Sequence, residues 1–149
     1  MRKIFILTII FLSSCGYQPI YLNKSIKTLE FSKISFTGDN LVNRKIINSL
    51  NIKENKSMTS DKELKLTSLF TTEETSKDSR GQVVSYRSSI NVNWEVMENN
   101  ESIENRSFYQ DFTYNNRDNK FELVEYQNEV KNNISEKVIE EIILYISLK

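Results

Sequence analysis

Cys15 is the only cysteine in the 149-residue chain, and the chain contains no histidine. One cysteine cannot close an internal disulfide, and without histidine the commonest general base and metal ligand is missing. What Cys15 retains is the nucleophilicity of its own thiolate. Its neighbours indicate the use: Arg2 and Lys3 open the chain, residues 4–12 are apolar except for Thr8, and Leu12, Ser13 and Ser14 lead into Cys15. Two cations, a short apolar run and small residues make a secretory signal. The run is too short for an anchor, because crossing ~30 Å of hydrocarbon takes about 20 residues. Removal of residues 1–14 is the expectation.

Leu12-Ser13-Ser14-Cys15 resembles the bacterial lipobox, in which the cysteine carries diacylglycerol on its sulfur before the leader is cut. The resemblance implies a covalent lipid on Cys15 and no other cofactor. One acyl chain binds a membrane only marginally, at ~0.8 kcal/mol per buried CH₂, whereas several hold firmly. The continuation Cys15-Gly16-Tyr17-Gln18-Pro19-Ile20-Tyr21 is similar to the start of mature lipopolysaccharide-assembly lipoproteins of the LptE family. That resemblance implies a non-enzymatic lipoprotein, anchored on the periplasmic side of the outer membrane. Such a protein assists assembly of an LptD-type β-barrel, plugs its lumen and contacts lipopolysaccharide on its way to the outer leaflet. Gly16 after the cysteine, rather than aspartate, fits outer-membrane sorting under the rule known for enteric lipoproteins. The competing reading is a membrane-tethered accessory or scaffold subunit of another envelope or lipid-transport complex, with no lipopolysaccharide contact.

Composition narrows the classes further. Twenty basic residues balance twenty acidic ones, and loss of Arg2 and Lys3 leaves eighteen against twenty, a charge of −2. That balance does not suit a nucleic-acid partner. Gly16, Gly38 and Gly81 are too scattered for a phosphate cradle, and no metal-ligand or nucleophile constellation is present. The carboxylate pairs Glu73-Glu74 and Glu140-Glu141 read as solvated faces of a strand and a helix. No catalytic residue is expected.

Residues 15–27, with Pro19, read as a lipidated lead from membrane to domain, and residues 28–149 as a single domain. Leu29, Phe31, Ile34 and Phe36 alternate with one slip of phase, which predicts a strand with a bulge. Asp39 offers an N-cap for a helix to about residue 50, with Leu41, Val42, Ile46, Ile47 and Leu50 inward and Asn43 outward. Residues 52–62 read as a loop. Three long strands follow: Leu64, Leu66 and Phe70 share a face in the first, and Val84, Tyr86, Ile90, Val92, Trp94 and Val96 in the second. Three-residue turns at 79–81 and 98–100 predict Phe70 opposite Ile90 and Leu66 opposite Trp94. They also predict Ile90 opposite Phe108, Tyr86 opposite Phe112 and Val84 opposite Tyr114.

Asn119 and Glu122 resemble a capping box, and Tyr126, Val130, Ile134, Val138, Ile142 and Ile146 continue as one row at i, i+4 spacing. The result is an α+β two-layer sandwich: a four-stranded, mainly antiparallel sheet with two helices packed on one face, in the order β-α-β-β-β-α. Order and length are again similar to the LptE family.

The other sheet face, Ser85 to Asn93 with Ser107 and Asp111 beside it, is polar and suits the hydrated wall of a barrel lumen. The same phase gathers Lys77, Asp78 and Arg80 beside Arg117, Asp118 and Lys120, an end of charge +2. Arg80 and Lys120, then Lys77 and Arg117, are the candidate contacts for phosphate or carboxylate of lipopolysaccharide.

Replacing Cys15 by Ala is expected to leave the chain uncleaved or detached from the membrane, read by its mobility and by fractionation. Normal cutting with retention in the outer-membrane fraction would show that the thiol is not the attachment point.

Overall fold

The computed structural model describes residues 28–57 and 61–148, so Cys15, the expected leader and the expected tether lie outside the described residues. Three long strands form the centre: β4 (Lys62–Lys77), β5 (Val83–Glu98) and β6 (Glu101–Asn115) make an antiparallel meander. β5 alternates between buried Ile90, Val92, Trp94 and Val96 on one face and polar residues on the other. In the first hairpin the register is the expected one, with Phe70 opposite Ile90 and Leu66 opposite Trp94. Gly81, at φ +80°, closes its turn.

The second hairpin departs from expectation. Asn99 and Asn100 both take positive φ, 52° and 66°, and make a two-residue turn with Glu98 opposite Glu101. A bulge follows between Val96 and Met97. Turn and bulge each move the pairing by one residue. Phe108 therefore faces Val92 instead of Ile90, Phe112 faces Ser88 instead of Tyr86, and Tyr114 faces Tyr86 instead of Val84. Two one-residue shifts restore the side-chain phase, so the expected face persists with each partner moved by two, and Val84 and Phe112 at its end are exposed.

The expected strand over residues 29–36 is two strands in two sheets. Ser32 breaks it, because its N–H and its hydroxyl both bond to the Lys62 carbonyl at 2.8 Å. Before the break, β1 (Leu29–Phe31) pairs in parallel with β3 (Ile52–Glu54), inside the stretch read as a loop. After it, β2 (Lys33–Gly38) pairs in parallel with the first half of β4, giving a mixed sheet in the order β2-β4-β5-β6. Phe31 meets Trp94 edge-on at 6.2 Å and ties the small sheet to the main core.

Helices α1 (Asn40–Ser49) and α2 (Lys120–Ser147) cover the apolar face. α1 is capped by Asp39, whose carboxylate accepts from the Leu41 and Val42 N–H groups at 3.0 Å. Asn119 caps α2 by accepting from Phe121 N–H. Val42, Ile46 and Leu50 of the first cap-and-helix segment meet Val130, Ile134, Val138 and Ile142 of α2 in one buried cluster. Two inward and outward positions on α1 are reversed. Asn43 is fully buried, donating its amide to the Thr37 carbonyl at 2.9 Å, while Leu41 is 71% exposed. The short polar side chain reaches the strand end that a Leu could not satisfy.

The corner between β2 and α1 fixes these layers. Asp39 N–H donates to the Ser68 carbonyl at 3.1 Å, the Ser68 hydroxyl returns a bond to the Asp39 carbonyl, and Lys131 of α2 pairs with the Asp39 carboxylate at 2.5 Å. Gly38 beside it has φ +88°, and a Cβ there would sit 1.7 Å from the Ser68 carbonyl oxygen. Gly81 has the same sign of φ with nothing within 4 Å of the added carbon. Gly81→Ala is therefore expected to cost only the left-handed strain, about 1–2 kcal/mol. Gly38→Ala adds a backbone collision and is expected to cost on the order of 3 kcal/mol or more. Urea midpoints of the two variants measure the difference, and equal losses would refute the close approach.

Candidate functional site

The turn after β4 is built on Asp78. Its backbone exchanges bonds with Gln82 and Gly81, while its carboxylate accepts from the Arg80 and Gln82 N–H groups at 2.9 Å. The turn after β6 is pinned to β5 by Asn116, whose N–H donates to the Val84 carbonyl at 2.7 Å and whose amide donates to the Val83 carbonyl at 2.8 Å. These bonds bring the two loops together, as the sheet phase predicts. Between them lies an open hollow of about 580 Å³.

The four candidate cations divide. Arg117 and Lys120 line the hollow together with Asp78 and Asp118. The Arg117 guanidinium carbon lies 4.2 Å from the centre of the Tyr126 ring, a cation–π contact that leaves its N–H donors available to an anion. Lys120 has no ion-pair partner among the described residues. Lys77 and Arg80 lie outside the lining: Lys77 pairs with Glu74 at 2.9 Å, and Arg80 with Asp78 at 3.3 Å. The cationic end is thus narrower than the sequence suggests, with Arg117 and Lys120 at its centre and Arg80 committed to its own turn.

The second candidate surface is the sheet face without helices. Its polar groups are joined laterally: Thr71 with Ser89 at 2.8 Å, Thr37 with Thr67 at 3.0 Å, and Ser107 donating to Asn93 at 3.2 Å. Arg87 lies 3.6 Å from Asp111 and donates to Thr113 at 3.3 Å. Leu69, 62% exposed, and Tyr109, 53% exposed, flank Asn91 in a single rung of this face. Reading the middle strand alone missed them, although both fall out of phase with the buried residues of their own strands.

Among the described residues no group of acidic or thiol side chains is arranged to hold a metal, and no helix is long and apolar enough to cross a membrane. The architecture is one that bacterial lipoproteins share. The chain superposes on rare lipoprotein B from Shewanella oneidensis with a TM-score of 0.58, at 11% identity over 77% of this chain and 93% of that one. Lipoprotein B from Nitrosomonas europaea gives 0.57 at 12% identity, covering 87% of this chain and 88% of that one. A minor lipoprotein from Acinetobacter baumannii gives 0.55 at 11% identity, covering 80% and 93%. At such identities the likeness is one of fold. No protein-family model and no curated protein matches the sequence.

Bonds from the Gln82 and Arg80 N–H groups hold the Asp78 carboxyl below its usual range, outweighing the opposing effect of burial. A depressed acid supports its turn at every pH above the ordinary carboxylate pKa, and that support goes as pH falls through the lower folded value. Amide exchange at Arg80 and Gln82, corrected for intrinsic rates, is expected to accelerate on acidification through that range. Asp78→Ala should show the fast rates at every pH; protection that ignores both changes would remove Asp78 from the turn.

Proposed function

We propose that the chain is a non-enzymatic outer-membrane lipoprotein of the LptE type. On this reading Cys15 carries the lipid, the domain stands in the lumen of an LptD-type β-barrel that it helps to assemble, and its basic end meets lipopolysaccharide in transit. The resemblance of residues 15–21 and the fold shared with bacterial lipoproteins support this reading. The observation that carries the plug role is the bare sheet face. Barrel interiors are polar and hydrated, and a plug needs hydrogen-bonding groups toward that wall and apolar groups away from it. Here one face carries Ser89, Asn91, Asn93, Ser107 and Asp111 around the exposed pair Leu69 and Tyr109, while both helices and the buried cluster lie on the other. For the ligand, Arg117 and Lys120 offer charge-assisted bonds to phosphate or carboxylate in a hollow open to solvent.

Photo-crosslinkers at Ser89 and Asn91 are expected to capture a large barrel protein, and crosslinks confined to the helices would reverse the orientation. Arg117→Glu with Lys120→Glu should weaken lipopolysaccharide binding by about tenfold or more, because each lost bond to a charged group is worth about 1.5–3 kcal/mol. The loss should shrink as salt rises, and barrel capture should persist. Unchanged binding by the folded double variant would leave a plug and assembly factor without a ligand site.

A further inference from the structure

Among the described residues no strand pairs with the outer side of β6, so this strand presents fifteen residues of backbone along one edge of the sheet. Long edges are normally blunted by proline, glycine bulges or dense charge. The first third of β6 is blunted in this way, by the register shift at Ile103 and by Glu101, Glu104 and Arg106, whereas residues 107–115 contain no proline, glycine or register shift, and Asp111 is their only charge. The opposite edge strand, β2, has six residues. Alongside β6 runs a groove walled by α2, a chain of adjoining hollows of about 310, 390, 400 and 520 Å³. Phe108, Phe112, Val130, Leu144 and Tyr145 supply its apolar lining. Gln110 donates to Glu141 at 2.6 Å across its middle and divides it into pockets instead of one continuous trough.

Backbone edge, spaced apolar pockets and wall charge together specify an occupant. An extended peptide added to β6 satisfies the edge through its own N–H and C=O groups, and its alternate side chains drop into the pockets. Of the carboxylates on the α2 wall Glu136 is paired with Lys45 and Glu141 with Gln110, Lys137 opposes them, and Arg106 and Arg117 line the outer hollows, so the acid left for an occupant is Glu140, which has no partner among the described residues. We propose that the groove between β6 and α2 binds an extended polypeptide strand of a partner protein, with apolar residues at alternate positions and a Lys or Arg set against Glu140. This goes beyond the plug and ligand roles above, which use the bare face and the basic end.

The test uses the full mature chain in detergent with four synthetic octapeptides: alternating Leu and Lys, alternating Leu and Glu, and two N-methylated forms of the Leu-Lys peptide, one for each frame of alternate residues. The Leu-Lys peptide is expected to slow amide exchange along β6. One N-methylated frame should bind at least about tenfold more weakly, since each of several backbone bonds is lost. The Leu-Glu peptide should bind more weakly than Leu-Lys, and Glu140→Lys should reverse that preference in a salt-dependent way. Equal affinity of both N-methylated frames, protection confined to α2, or occlusion of β6 by a second copy of the chain would overturn the proposal.

Discussion

The position of α2 depends on one carboxylate. Asp39 caps α1 through one oxygen and takes the Lys131 ammonium on the other, and its backbone is bonded in both directions to Ser68 of β4. Lys131 also lies 4.7 Å over the Phe70 ring. A single residue thereby links the sheet to both helices. The pair is about one-fifth exposed on each side, so its contribution to stability is small. Partly solvated pairs are worth about 0–1 kcal/mol, whereas each buried Ile or Val contributes about 1.5–3 kcal/mol. The cluster around Ile46, Ile134 and Ile142 therefore supplies the stability. Apolar packing alone would accept α2 displaced by a turn, and the junction selects one position. Gly38 is part of the same device, because only a residue without Cβ allows β2 to close on Ser68 before the chain turns into the helix.

With α2 held there, the surface follows. Both helices are drawn to one face, so the other face of β5 and its neighbours is left without a covering layer among the described residues and must satisfy its polar groups otherwise. Lateral hydroxyl pairs accomplish this: Thr71 with Ser89 and Thr37 with Thr67 satisfy part of their hydrogen-bonding capacity within the sheet. Each hydroxyl keeps a further lone pair or proton for an outside partner. The buried side uses the same chemistry for a different end. Ser88 sits among apolar neighbours and is satisfied by Thr72 at 2.9 Å and by the Tyr114 hydroxyl at 3.0 Å.

What the sequence reveals depends on how local the determining physics is. α2 was legible from end to end, because its cap at Asn119 and the row from Tyr126 to Ile142 are local patterns. The meander was legible as phase, because period-two alternation survives any even shift of register. Its pairing was not: whether Asn100 alone or both Asn99 and Asn100 take positive φ is settled by the strands around them. β3 left no trace, since one apolar residue, Ile52, carries no period and its partner β1 lies more than twenty positions away. Asn43 misled for a related reason, as the acceptor that justifies its burial, Thr37 O, belongs to a different element. At the basic end, sequence placed the loops together but could not see that Asp78 and Glu74 already occupy Arg80 and Lys77.

The two ends of the sheet are consequently unlike in more than charge. The chain enters the fold at Thr28 and reaches the start of β4 within a few residues, where Ser32 meets Lys62 and where Lys33–Glu63 and Lys62–Glu98 pair. The hollow with Arg117 and Lys120 lies at the opposite end, a strand of sixteen residues away, or about 50 Å at 3.3 Å per residue. Residues 15–27 span at most roughly 45 Å when fully extended. A lipid on Cys15 would therefore hold the Lys33 and Lys62 end within reach of its membrane. The hollow would be presented toward whatever lies beyond the domain's far end. An anionic ligand arriving there meets a guanidinium set against Tyr126 and an ammonium with no ion-pair partner among the described residues, beside Lys77 and Arg80, which pair with Glu74 and Asp78 of their own hairpin.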